Sequence, residues 1–383
     1  MVGEIDMKCA LRMLALAFTF LAYESNAETI STNQTPLSTY LIGTYTDAES
    51  QGLELLSFDQ DTMALSSKVV VSGFEDPSFV IANQARTLIF AVEDTANGKL
   101  RSYAFHQHNP QLVLLDIVES VGDHPCYLAL DHSERFLAVA NYISGNFSIF
   151  EINSEGGLHF RQSVQHQGNS INKPRQNDAH VHSMVFHPND KQLLVADLGT
   201  DKIYIYDVNF SNSTPITEAK PAYFKVAPGS GPRHMVIHPN GKVLYLVHEL
   251  TGEIGVYFYK SGEITHISTH SLTTSKRKGH VQAAEIRLSH DGKYIYVSNR
   301  GNANNLSVFK VKLNGDLSLI QQISTGGRTP RNFNLSIDGN FLLVANQDSD
   351  EIRVFLRDSV TGKLEKSLSK VKINKPVYIF PLN

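Results

Sequence analysis

Arg233 and Glu249 stand eight residues before and eight residues after Gly241, in the segment Pro232–Glu249. The segment reads as a strand, a polar turn at His238-Pro239-Asn240-Gly241 and a second strand. A hairpin folded at that turn puts a guanidinium and a carboxylate on neighbouring strands, within side-chain reach. The carboxylate can hold the arginine in place for an anionic ligand, or act as a base beside it. In an earlier copy of the same segment His182 takes the position of Arg233. Imidazole is the side chain whose ordinary pKa suits proton transfer near neutrality. In a later copy Arg300 takes the position of Glu249. The chemistry these types suggest is acid–base work on a polar or anionic molecule.

Such a constellation needs elements that repeat and converge. The strand–turn–strand cadence begins near Pro77, Pro125, His180, Pro232, Gln282 and Pro330, roughly every 50 residues. A third and a fourth strand follow each hairpin, with turn signals such as Asn314-Gly315-Asp316 between them. No sustained helical periodicity occurs beyond the N-terminal region. Four antiparallel strands per repeat predict an all-β β-propeller. Six repeats are complete. Tyr40–Tyr45 and Leu53–Phe58 form strands without an inner partner, and Lys375–Phe380 forms an inner strand without outer ones. Together they predict a seventh blade, closed by strands from both termini, which removes the exposed edges that an open array would present.

Aligned on the turn, the copies place Cys126, His182, Arg233, Ala284 and Arg331 in one ring. Glu93, Tyr142, Leu198, Glu249, Arg300 and Gln347 fall in a second, and His180, His234 and Glu285 lie one or two residues from the first. The copies differ most where they converge, as expected of a site grafted on a symmetric scaffold. Plainer readings apply to several residues. The Pro-Arg pairs can serve as structural bridges between blades. His187, His238 and His290 fall at turns, and Asp197 and Asp201 suit loop amides better than an ion. His180, His182 and His187 are not read as a metal site, although His180 and His182 point to the same side of a strand and leave a two-His ligand pair open. Cys126 reads as a small buried residue. No metal and no cofactor is expected.

The chain has 383 residues, 42% of them hydrophobic, which is ample for a core, and Trp is absent. A net charge of −4 argues against general nucleic-acid or anionic-membrane binding. The two cysteines, Cys9 and Cys126, provide neither a disulfide framework nor zinc spacing. Lys8 and Arg12 precede the apolar run Met13–Tyr23, and Ser25-Asn26-Ala27 supplies small residues for cleavage. Residues 1–27 are therefore expected to be a signal peptide, 28–38 a linker and 39–383 the propeller. Glu4 and Asp6 sit oddly in that leader, which leaves Met1 and Met7 both open as the start. The mature protein is expected to be exported, periplasmic or secreted, with no membrane attachment.

From Tyr40 to Pro381 the chain resembles the lactonase family of seven-bladed propellers. This family includes propeller-type 6-phosphogluconolactonases and carboxymuconate-lactonising enzymes. The resemblance rests on His180-Val181-His182-Ser183, Asp197–Asp201, Gly231-Pro232-Arg233-His234, Ala283–Ile286, Ser298–Gly301, Thr329–Phe333 and Ala345-Asn346-Gln347. It implies a metal-free hydrolase acting on a small, anionic sugar lactone in carbohydrate metabolism. An exported protein favours an unphosphorylated substrate. By position, His182, Arg233, Glu249 and Arg300 correspond to the residues proposed to act in the lactonising relatives. The roles then expected are His182 or Glu249 as base, with Arg233 and Arg300 holding substrate and developing charge. Arg331, His180, His234, Glu285 and Gln347 are expected to bind substrate. A non-catalytic propeller binding a ligand or protein, or a lactone-forming intramolecular lyase, would use the same ring.

Overall fold

The computed structural model describes residues 37–47, 52–106, 110–189, 191–273 and 281–383. The expected signal peptide and the linker up to residue 36 lie outside the described residues. Leu37–Asn383 form one compact unit. Within it, seven four-stranded antiparallel sheets follow one another, and the only helical turn among the described residues is the 3₁₀ segment Gln347–Ser349. The seven-bladed propeller expected from the repeats is the observed fold.

Closure follows the predicted route. Pro376–Pro381 is the inner strand of the blade whose other members are Ser38–Thr44, Gly52–Asp59 and Ala64–Ser72. Leu41 pairs with Phe380 and Ile42 with Ile379. The last residue joins in, its side-chain Oδ1 accepting from the Thr39 amide at 2.6 Å.

Burial explains the sequence texture of each strand. Second strands such as Phe136–Asn141, Val243–His248 and Phe341–Asn346 are buried at every position. Neighbouring blades cover both their faces, so they read as continuous apolar runs. Leu194, Ala196, Ile203 and Ile205 of one blade pack on Leu244, Leu246, Tyr257 and Tyr259 of the next. Outermost strands have solvent on one side and alternate instead, as in Leu364–Lys372, where lysines guard an exposed edge.

The first strands carry the feature that matters for function. Pairing slips at the start of five of them, between Pro125 and Tyr127, Val181 and Ser183, Pro232 and Met235, Ala283 and Ile286, and Pro330 and Asn332. The residues left out of register are Cys126, His182, Arg233 with His234, Ala284 with Glu285, and Arg331. These are the first predicted ring and its neighbours. A bulge bends the strand and re-aims a side chain that a regular ladder would commit to a sheet face.

Candidate active site

Glu249 follows the strand Val243–His248, and its carboxylate is the hub of the site. Oε2 accepts from Arg233 Nε at 2.8 Å and lies 3.0 Å from a terminal nitrogen of Arg300. Oε1 accepts from Arg175 at 2.7 Å. His182 Nε2 lies 3.7 Å from Oε2, an ion-pair distance longer than a hydrogen bond. The four residues expected to act together therefore meet around one carboxylate. Arg233 is fixed further by donating to the Ala284 carbonyl at 2.7 Å. All four are buried.

This crowding sets the charge states. Burial alone would raise the Glu249 carboxyl, but Arg300, Arg233, His182 and Arg175 together hold it well below the usual carboxylate range. Burial, and then the charge of Arg233 and the neighbouring His234, push the His182 imidazole well below its ordinary value. Burial also pulls Arg300 down to about 10, against the attraction of Glu249. Glu249 is thus a fixed anion and His182 a neutral ring. The His182 Nδ1 faces Cys126 Sγ at 3.8 Å. Burial pushes the Cys126 thiol up, so it packs as a neutral group and not as a nucleophile.

Residues from all seven blades, and from the loop bearing Arg175, line a cavity of about 320 Å³ above this hub. Its other walls are Tyr45, Asp94, His124, Tyr142, Gln282 and Arg331. Arg331 lies over the Tyr45 ring at 5.0 Å and makes no hydrogen bond or ion pair with any described residue. It is the one guanidinium of the cavity not spent on Glu249.

The other expected binding residues are placed differently. His180 stacks on Tyr142, with ring centroids 4.6 Å apart, and its Nδ1 lies 2.9 Å from the Tyr142 carbonyl oxygen. His234 and Glu285 are buried and bonded to each other, Nδ1 to Oε1 at 3.1 Å, with Arg287 on the same oxygen at 2.9 Å. Burial and Arg233 bring His234 down to about 4. Burial opposes, but Arg287 and His234 bring Glu285 to about 2. Gln347 starts the 3₁₀ turn and is not among the cavity-lining residues. Glu93, its equivalent in the weakest repeat, turns instead to Arg101 at 2.7 Å and Lys99 at 3.2 Å.

Sequence reasoning missed Arg175, Asp94 and His124. Arg175 sits in the non-repeating loop before Val181, which the Asp197 corner holds down. Asp197 Oδ1 accepts from the amides of His180, Gly199 and Thr200 at 2.9, 2.9 and 3.1 Å, and Gln176 donates to the Leu198 carbonyl at 2.8 Å. A side chain at Gly199 would strike the Asp178 carbonyl, its Cβ falling 1.9 Å from that oxygen. Asp197 and Asp201 therefore bind loop amides, as expected, the latter through Gly229 and Gly231. Asp94 adjoins the predicted ring position Glu93 and His124 lies two residues before Cys126, and that proximity was the available signal.

Among the described residues no group of three or more His, Cys, Asp or Glu side chains could hold a metal ion. The family model described as Lactonase, 7-bladed beta-propeller matches residues 39–381. A 6-phosphogluconolactonase of Formosa agariphila is 33% identical over 87% of this chain and 96% of its own length. One from Bacillus subtilis is 30% identical over 88% of this chain and 96% of its own. Among solved structures, a periplasmic gluconolactonase of Pseudomonas aeruginosa superposes with a TM-score of 0.87 at 33% identity. That match covers 90% of this chain and 99% of the other. Fold, bulged ring and these matches together place the chain in the lactonase family of seven-bladed β-propellers.

Proposed function

We propose that the protein hydrolyses a sugar lactone, an aldonolactone with or without a phosphate, in the cavity above Glu249. The observation that carries this reading is the neutral, buried His182 beside an anion that three arginines keep ionised. Both oxygens of Glu249 are engaged by Arg175, Arg233 and Arg300, so the base is His182. With Nδ1–H toward the Cys126 sulfur, Nε2 offers a lone pair. It takes a proton from water as the water oxygen adds to the lactone carbonyl carbon. Glu249 then stabilises the imidazolium across the 3.7 Å gap. Arg300 stabilises the oxyanion of the tetrahedral intermediate. Arg331, which makes no hydrogen bond or ion pair of its own although Asp94 and Glu249 favour its charge, anchors a carboxylate, phosphate or hydroxyl of the substrate. Collapse breaks the bond between the carbonyl carbon and the ring oxygen, giving the open-chain hydroxy acid.

The 6-phosphogluconolactonase and gluconolactonase relatives support both forms of substrate. The leader-like pattern of residues 1–27 and the periplasmic relative support an exported protein acting on the unphosphorylated form. The test is turnover of glucono-δ-lactone and 6-phosphoglucono-δ-lactone, corrected for spontaneous hydrolysis, by the wild type and His182→Asn. A fall in kcat of about 10²–10⁴-fold in a variant with unchanged unfolding temperature is expected. Equal turnover by the variant removes His182 from the mechanism. No turnover of either lactone by the wild type points to the ligand-binding alternative.

A further inference from the structure

The lining of the cavity also includes a second histidine–carboxylate pair. His124 lies in the connection just before Pro125–Leu130, and Asp94 just after Leu88–Glu93. His124 Nδ1 is 3.1 Å from Asp94 Oδ1. The other carboxylate oxygen of Asp94 accepts from Ser78 Oγ at 2.8 Å and from the Tyr45 hydroxyl at 3.4 Å. Asp94 is buried, whereas His124 is half-exposed and lines the cavity. The backbone of His124 is left-handed, with φ 54°, a conformation costly for most side chains. That conformation is held at both ends, since the His124 amide donates to the Thr95 carbonyl at 2.9 Å and its carbonyl accepts from the Tyr142 amide at 3.0 Å. Two residues later the chain reaches Cys126, the neighbour of His182.

From this arrangement we infer that His124, oriented by Asp94, is the general acid that protonates the departing ring oxygen. The inference rests on the lactone-hydrolase reading and adds the step which that reading leaves open. With Nδ1–H given to Asp94, the Nε2–H of the imidazolium is available to the cavity. As the bond from carbonyl carbon to ring oxygen breaks, that proton passes to the oxygen and a hydroxyl leaves. The acid product ionises. Of its proton and the one on His182, one returns to His124 and one goes to solvent, so each turnover releases a single proton.

Two histidines in one cavity are driven in opposite directions. His182 is lowered by burial and Arg233. The hydrogen bond to Asp94 raises His124, with the charges of Asp94 and Asp123 adding to it and burial opposing. The other ionisable groups lining the cavity are Tyr45, Cys126, Tyr142, Arg175, His182, Glu249, Arg300 and Arg331. Of these Arg175, Arg300, Arg331 and Glu249 carry charge near neutrality, and Glu249 is paired with Arg175 and Arg300. A pair of groups whose environments separate their pKa values is the arrangement general acid–base catalysis requires.

The experiment compares wild type and His124→Asn on two lactones that differ in leaving group. Asn tolerates left-handed backbone, so the variant keeps the local fold. Glucono-δ-lactone expels an alkoxide and needs a proton donor. Dihydrocoumarin expels a far less basic phenoxide and does not. The expected result is a kcat lowered about 10²-fold or more on glucono-δ-lactone, with KM little changed. On dihydrocoumarin the loss should be under about threefold, because the acid-assisted step no longer limits the rate. The kcat–pH profile on glucono-δ-lactone should also lose its alkaline limb. Equal losses on both lactones, or an alkaline limb that survives in the variant, would overturn the inference. Absence of turnover by the wild type overturns it together with the hydrolase reading, whereas an intact wild type with an indifferent variant overturns the inference alone.

Discussion

One side of the cavity is saturated and the other is spare. Around Glu249, three guanidinium groups and an imidazole share two oxygen atoms, and every member of the expected quartet is buried. Elsewhere on the wall, Arg331 lies over the Tyr45 ring without an ion pair, and His124 is half-exposed and bonded to Asp94. Charge packed as tightly as at Glu249 cannot adapt to a ligand. What it does well is hold groups still and suppress protonation. The sparse wall has unmet hydrogen-bonding capacity, and there a substrate finds its partners. The counting of arginines in the sequence therefore misleads about their use, since two of the three it counts, Arg233 and Arg300, serve an internal carboxylate.

Removing the hub should break the contrast most severely. Glu249→Gln leaves Arg175, Arg233 and Arg300 without a counter-charge, two of them buried. The expected cost is about 3–5 kcal/mol of stability, seen as a lower denaturation midpoint, with lactone turnover lost as well. On the sparse wall, Arg331→Met should leave the denaturation midpoint within about 0.5 kcal/mol of wild type. The same variant should lower kcat/KM about tenfold or more, chiefly through KM, as loss of a charge-assisted bond to substrate predicts. A stability loss comparable to that of Glu249→Gln would show that Arg331 is structural after all, a bridge between blades.

A smaller effect lies beneath the saturated wall. His234 has a folded pKa of about 4 against an ordinary value of 6.5. The folded state therefore binds fewer protons than the unfolded chain between these values. Its contribution to stability is complete above about pH 6.5 and is lost as pH falls towards 4. His234→Gln should flatten the decline of the unfolding temperature across that window. A variant whose unfolding temperature falls as steeply as that of wild type would take His234 out of this account.

Much of the wheel was legible in the sequence because its cause is local. Each turn chemistry, each apolar second strand and each interval of about 50 residues repeats, and the unpaired strands at the two ends could only be completed by each other. The Arg233–Glu249 contact was legible for the same reason, being the product of one symmetric hairpin. Arg175 was not, because its loop has no counterpart in other blades. The opposed roles of Arg233 and His234 were not either. Adjacent residues on a regular strand would face opposite sides, and only the slip between Pro232 and Met235 frees both. His124 and Asp94 fall beside the aligned positions, so repeat alignment passed over them.

The amino-acid order alone determined which strands form, how many blades they build and where the ring closes, since these follow from hydrophobic pattern and turn residues between near neighbours. Tertiary structure decided what the converging side chains do. The bulges choose which of two consecutive residues enters the channel. The ionisation of His182, Glu249 and His124 depends on burial and on charges brought from other blades, at sequence separations no periodicity records.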